Sequence, residues 1–201
     1  TRTPSSAASD VYKRQDIPKD LTNPDELFDY EYPKKVSIRS YNPPVEPEQN
    51  QVDRVISALK QSKRPVIYAG GGTIASNASD ELRELNSYIK VPVTNTLMGL
   101  GVYPGTDKYF LGMLGMHGTY QANMAMHNAD LILAIGARFD DRITNTPSKF
   151  APKAKIVHFD VDHSSVSKII EADIAVFGQV KNSLQAINEK LKLESEEFDE
   201  G

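Results

Sequence analysis

Asp130-Leu131-Ile132-Leu133-Ala134-Ile135-Gly136-Ala137-Arg138-Phe139-Asp140-Asp141-Arg142 is the stretch whose reading decides the fold. Leu131 to Ile135 is an unbroken apolar run, the pattern of a strand buried on both faces of a parallel sheet. Gly136 permits a tight exit, and four charges, Arg138, Asp140, Asp141 and Arg142, follow it. In open α/β sheets the carboxyl ends of the strands are where ligands sit. Two arginines suit a diphosphate or another planar anion, because guanidinium forks match such oxygens bidentately. The aspartates either hold those arginines or accept from ligand hydroxyls. Taken alone, the cluster reads equally well as a solvated loop whose charges pair with one another.

Downstream, Lys155 to Phe159 has the same buried-strand pattern and ends at Asp160, which either accepts from a ribose or adenine donor or caps the next turn. Ile174 to Phe177 reads as a last strand closed by Gly178. Val180, Leu184, Ile187 and Leu191 then line one face of a final helix, and the acidic run Glu194 to Glu200 reads as a solvated tail.

Upstream, Thr119 opens a helix through Asn128 with small Ala122 and Ala125 for close packing. Six of the twelve glycines, Gly99, Gly101, Gly105, Gly112, Gly115 and Gly118, precede it. Leu97, Met98, Leu111, Met113, Leu114 and Met116 interleave them, and apolar residues at this density pack against something. The segment suits a flat ligand lying on main chain. His117 is either a polar contact to it or a histidine simply hydrogen-bonded in place.

Pro92 and Val93 begin a short strand leading into Asn95 to Gly101. Pro65 to Ala69 reads as the first buried strand, and it ends in Gly70-Gly71-Gly72, whose N–H groups are expected to face an anion. A dinucleotide fingerprint needs a further glycine where this chain has Ala75 or Ser76, so a standard NAD-type site is not expected. Ser79 or Asn77 is expected to cap the next helix, with Leu82, Leu85 and Ile89 on its inner face. Val52, Val55, Ile56 and Leu59 mark an amphipathic helix over 48–61.

Four divisions follow. Residues 48–192 form one domain, and 193–201 an acidic linker or tail. Residues 16–47, with Pro18, Pro24, Pro33, Pro43, Pro44 and Pro47, read as an extended inter-domain linker. Residues 1–15 read as a non-native tail, because Ser9 to Gln15 looks like a translated sequencing-adapter read-through, or else as an ordinary disordered tail.

The 201 residues carry a net charge of -4 and no cysteine. That balance argues against a nucleic-acid surface and excludes disulfides and Cys-ligated metal. No apolar stretch approaches the roughly 20 residues that cross a bilayer, and 1–15 lacks a signal-peptide core. A cytoplasmic protein is expected.

The alternation of strand, turn and helix gives an α/β class with a doubly wound, mostly parallel sheet and helices on both faces. Ligand contacts should come from one rim: Gly70 to Gly72, Thr96 to Gly99, Leu114 to His117, Gly136 to Arg142, Asp160 and Gly178. Loops spread over that many strands imply a long, flat ligand such as a dinucleotide.

Four motifs in order resemble one family. Asn95-Thr96-Leu97-Met98-Gly99-Leu100-Gly101, Leu114-Gly115-Met116-His117-Gly118-Thr119, Gly136 to Arg142 and Lys155 to Asp160 are similar to the central, Rossmann-like domain of the acetolactate synthase (acetohydroxyacid synthase) large subunit, over Asp16 to about Leu191. The resemblance implies a fragment of a thiamine-diphosphate-dependent transferase. The full enzyme condenses two 2-oxo acids, pyruvate with pyruvate or 2-oxobutyrate, with loss of carbon dioxide, in branched-chain amino acid biosynthesis. It further implies that this domain binds FAD structurally, while thiamine diphosphate and Mg2+ belong to domains outside this sequence. A homo-oligomer with a regulatory small subunit is implied by the same likeness.

Carried over by that resemblance, the FAD contacts are Gly70, Gly71, Thr96, Leu97, Met98, Gly99, Leu114, Gly115, Met116, His117, Gly136, Arg138, Asp140, Arg142, Asp160, Val161, Gly178 and Gln179. Met116, Asp141 and Arg142 resemble positions near a substrate channel, where Arg142 would meet a carboxylate. Two positions depart from the family pattern: Asp162-His163 stands for its Asp-Pro, and Gly178-Gln179-Val180 for its Gly-Asp-Val. The catalytic glutamate and the Gly-Asp-Gly and Asn that hold the metal diphosphate are absent, so no catalytic or metal residue is assigned, and the chain alone is expected to be inactive. Two other readings are a glyoxylate carboligase-like FAD-binding thiamine enzyme and a stand-alone nucleotide-binding module.

Overall fold

The structure is a computed structural model that describes residues 42–199, with side chains to Glu194, together with Thr22, Pro24, Asp25, Asp29, Glu31, Tyr32, Lys34 and Lys35. Two compact units result, Thr1–Tyr41 and Asn42–Gly201. In the first, Tyr32 is exposed. The adapter-like tail 1–15 and most of the linker 16–41 lie outside the described residues.

In the second unit the elements run α1 Gln49–Gln61, β1 Pro65–Ala69, α2 Gly71–Ala75, α3 Ser79–Ile89, β2 Val93–Asn95, β3 Phe110–Met113, α4 Tyr120–Asn128, β4 Leu131–Ile135, α5 Asp141–Thr144, β5 Lys155–Asp160, β6 Ile174–Phe177 and α6 Val180–Asp199. Among the described residues the strands make one six-stranded sheet in the order β3-β2-β1-β4-β5-β6, parallel throughout. Two βαβ halves therefore meet at β1 and β4, the switch point of a doubly wound sheet, where crossovers leave in opposite directions and open a crevice.

The apolar runs are unbroken because both sheet faces are covered. Ile67, Ala69, Leu131, Leu133, Ile135, Val157 and Phe159 point to one face, with α1, α3 and α6 packed over them. Val66, Tyr68, Ile132, Ala134 and Ile156 point to the other, with Met126 of α4 and the Ala137–Phe150 region. At the amino end of β4, Asp130 ties the strand to the turn before β1. Its carboxylate accepts from the Ser62 hydroxyl and from the N–H groups of Lys63 and Arg64 at 2.8 and 2.9 Å. Burial works against its charge, but these donors outweigh it and hold the carboxyl below its ordinary pKa.

Several local expectations are corrected. β3 lies inside the segment read as a glycine-rich loop; it is a four-residue, half-buried edge strand containing Gly112 at φ 86, so alternation and length signal little. Neither Ser79 nor Asn77 caps α3. Ala78 holds that position, and Asn77 sits at φ 50 in the preceding turn. α6 runs to Asp199, so a helix carries the acidic run. Thr119 caps α4 as its sequence suggests, its side chain accepting from the Ala122 N–H.

After α5 the chain turns through Asn145 at φ 51, ψ -75, outside the basins that a side chain favours. Asn145→Gly is expected to stabilise the protein by about 1 kcal/mol, strain relief exceeding the added unfolded-state entropy. Thermal denaturation checks this, and an unchanged or lower midpoint contradicts it.

Candidate functional site

Backbone contacts fix the crevice at β1 and β4. The Gly70 N–H donates to the Ile135 carbonyl and the Gly72 N–H to that of Gly136, each at 2.9 Å, and the Thr73 hydroxyl donates to Ile135 at 2.8 Å. These bonds correct the expectation that the glycine N–H groups face an anion: two of the three are engaged within the fold. The glycines here serve a close crossing of two chains. A Cβ on Gly70 would stand 2.3 Å from the Gly136 oxygen, and one on Gly136, at φ 55, would stand 2.6 Å from the Thr73 nitrogen.

The loop after β2 is held just as closely. Thr96 donates its N–H to Ala69, its hydroxyl accepts from the Gly99 N–H at 2.9 Å, and the Asn95 amide donates to the Gly99 carbonyl at 3.0 Å. Leu97 and Met98 are thereby pushed outward, 67% and 76% exposed. After β3, Asn123 of α4 brackets Gly115, accepting from its N–H and donating to its carbonyl, both at 3.1 Å. Met116 donates its N–H to the Arg142 carbonyl and presents a side chain 67% exposed. After β4, Asp140 caps α5 by accepting from the Arg142 N–H at 3.0 Å. Arg142 approaches Asp141 at only 3.7 Å, with both side chains exposed. Arg138 is exposed and forms no ion pair among the described residues.

These loops enclose a cavity of about 430 Å³. Of the expected contacts it gathers Gly71, Thr96, Leu97, Met98, Leu114, Met116, His117, Gly136, Arg138, Asp140 and Arg142. Gly70, Gly99 and Gly115 stand behind the lining as turn-formers, and Asp141 lies outside it. Gly72, Met113, Ala137 and Ile143 also line it; Gly72 and Ala137 fall within the expected rim, Met113 among the apolar residues of the glycine-rich segment, and Ile143 carries no polar signature that sequence alone would flag.

Asp160, Val161, Gly178 and Gln179 do not line the cavity. Asp160 accepts from the Asp162 N–H at 2.9 Å, the turn-capping alternative. Gln179 donates its N–H to the Val45 carbonyl, and a Cβ on Gly178 would meet the Pro47 nitrogen at 3.0 Å, so residues 45–47 cover this strand end. His163 stacks on Phe177 beside it, with centroids 3.8 Å apart.

Beneath the β4 loop lies His158, 2% exposed, with the Phe139 ring edge-on at 5.4 Å. Among the described residues neither ring nitrogen has a hydrogen-bond partner. Asp160 is 3.9 Å from Nε2. Burial lowers the pKa of the imidazole below its ordinary 6.5, opposed by Asp160 and the Ala137 backbone. The folded state thus prefers neutral His158; its contribution is complete above the unfolded pKa and is lost as pH falls through it. Stability is expected to drop by up to about 1.4 kcal/mol per pH unit below about pH 6.5. Urea midpoints across that range check this, and His158→Gln should flatten the slope.

A family model described as the central domain of thiamine pyrophosphate enzymes matches residues 52–187. The chain is 50% identical over 170 residues to the acetolactate synthase large subunit of Haemophilus influenzae, covering 85% of this chain and 30% of that protein. It is 46% identical over 180 residues to the acetolactate synthase isozyme 3 large subunit of Escherichia coli, covering 90% and 31%. It is 41% identical over 183 residues to the chloroplastic acetolactate synthase 3 of Brassica napus, covering 91% and 28%. The chain spans about 30% of the length of these relatives.

Proposed function

We propose, because the chain belongs to the family of thiamine pyrophosphate enzyme central domains, that it is the FAD-binding portion of an acetolactate synthase large subunit. The observation that carries this is the crevice at the switch point. Four strand-end loops converge there, a guanidinium at Arg138 with no ion pair among the described residues and a second at Arg142 stand over it, and exposed Leu97, Met98 and Met116 flank it. Those residues fit a flavin dinucleotide: the cations suit its diphosphate, and the apolar side chains suit a flat ring. Asp160, Val161 and the exposed Gln179 side chain would meet the adenosine end beyond the cavity, Gly178 lying beneath residues 45–47.

In this reading residues 16–47 link the domain to a preceding one, 48–192 are the domain itself and 193–201 lead onward. Thiamine diphosphate, held with Mg2+ by the other domains, supplies the electron sink for joining two 2-oxo acids. The residues of this chain bind and orient. Met116, Asp141 and Arg142 border the substrate channel, Arg142 as a carboxylate partner. The designation of the relatives as large subunits supports a regulatory small subunit; a cytoplasmic homo-oligomer is part of the same reading. No helix among the described residues is long and apolar enough to cross a membrane.

Titration of the purified chain with FAD and with NAD tests the reading. Saturable FAD binding with NAD at least about tenfold weaker is expected, since the fingerprint for NAD is missing. The reverse ranking favours the stand-alone nucleotide module. With pyruvate, thiamine diphosphate, Mg2+ and FAD the chain alone should form no acetolactate, and measurable product would overturn the division of labour between domains.

A further inference from the structure

A second cavity, of about 710 Å³, lies at the opposite pole of the sheet, at the starts of β1 and β2. Its floor is apolar, with half-buried Leu59, Ile89 and Leu191 among the lining, and four cations, Lys60, Lys63, Arg64 and Lys90, border it. Among the described residues no carboxylate lines it. Lys60 is paired with Glu194 at 2.8 Å. The nearby carboxylate of Asp130 is occupied by the Ser62 hydroxyl and two backbone N–H groups and sits beside Arg64. Lys63 and Lys90 have no ion-pair partner among the described residues. Lys90 is set in place by its left-handed backbone at the end of α3, φ 53.

We propose that this cavity is a binding site for an amphipathic monoanion, an aliphatic carboxylate whose chain lies on the Leu59, Ile89 and Leu191 floor and whose head meets Lys63 and Lys90. Charge complementarity selects the class. An apolar floor offers a hydrated phosphate nothing, and an uncharged alkyl chain leaves the cations unmatched. A plainer role for the lysines is to complement the carboxyl ends of α1, α3 and α4, which reach the same pole, and the test separates the two.

Calorimetric titration of the purified chain uses octanoate, acetate and octanol as probes. Octanoate is expected to bind saturably with Kd of about 1 mM or tighter, the range for a ligand of that size. Acetate and octanol should each bind about tenfold more weakly or not at all, separating head from tail. The double variant Lys63→Gln, Lys90→Asn should weaken octanoate at least about tenfold, asparagine being chosen because it tolerates the left-handed backbone. Saturating FAD should leave octanoate affinity unchanged. Absence of saturable octanoate binding, equal binding of octanol, displacement by FAD, or a variant that alters only thermal stability would each overturn the proposal.

Discussion

Gly70→Ala is expected to destabilise the protein by about 3 kcal/mol or more, the upper range for overpacking, lowering the thermal midpoint by roughly 6–12 °C for a domain of this size. The reason is space and not conformation. Gly70 has φ -116, which any residue adopts, but its Cβ would lie 2.3 Å from the Gly136 oxygen and 2.5 Å from the Ala137 Cα. Both obstacles are backbone, and backbone there is pinned by the Gly70–Ile135 and Gly72–Gly136 bonds. Gly71→Ala is the milder comparison: its Cβ meets the Met98 Cβ at 3.1 Å and the Met98 carbonyl oxygen at 3.3 Å, contacts that a shift of a few tenths of an ångström relieves. A Gly70→Ala midpoint close to that of Gly71→Ala would show that the crossing is looser than described.

The second large effect concerns ligand. Arg138→Glu should weaken FAD binding by about 100-fold or more, since it removes a charge-assisted contact and sets a like charge beside the diphosphate. Arg138→Gln should lose about tenfold, the charge alone. Arg142→Gln is expected to lose less, because that guanidinium already faces Asp141 while Arg138 has no carboxylate to give up among the described residues. Flavin fluorescence titrations at two salt concentrations check the order. Unchanged affinity in Arg138→Glu would remove this arginine from the binding site.

Much of this was legible in the residues. Leu131 to Ile135 reads as a doubly covered strand because its alternate side chains serve two different cores, and the charges after Gly136 mark the end that borders the cavity. The loops after the first four strands converge as their turn residues suggest. Illegible parts share a cause: their signal lies in a partner distant in sequence. Nothing in Gly70-Gly71-Gly72 says that Gly70 and Gly72 answer to Gly136 while Gly71 does not. Asn123 looks like an ordinary helical residue until it brackets Gly115. β3 has too few residues and too much glycine to declare itself, and Gly178 faces residues 45–47 that composition assigns to a linker.

The central strand pair also bears on how the molecule is assembled in time. Pro65 pairs with Leu131, 66 positions later (131 minus 65), whereas β1–β2 and β4–β5 partners come from neighbouring units. Joining the centre therefore closes the long loop, and loop-closure entropy and contact order make that the slow step. Each flank can organise locally beforehand. A nick between α4 and β4 should then yield two complementary fragments that reassociate through β1 and β4, at a rate set by their concentration.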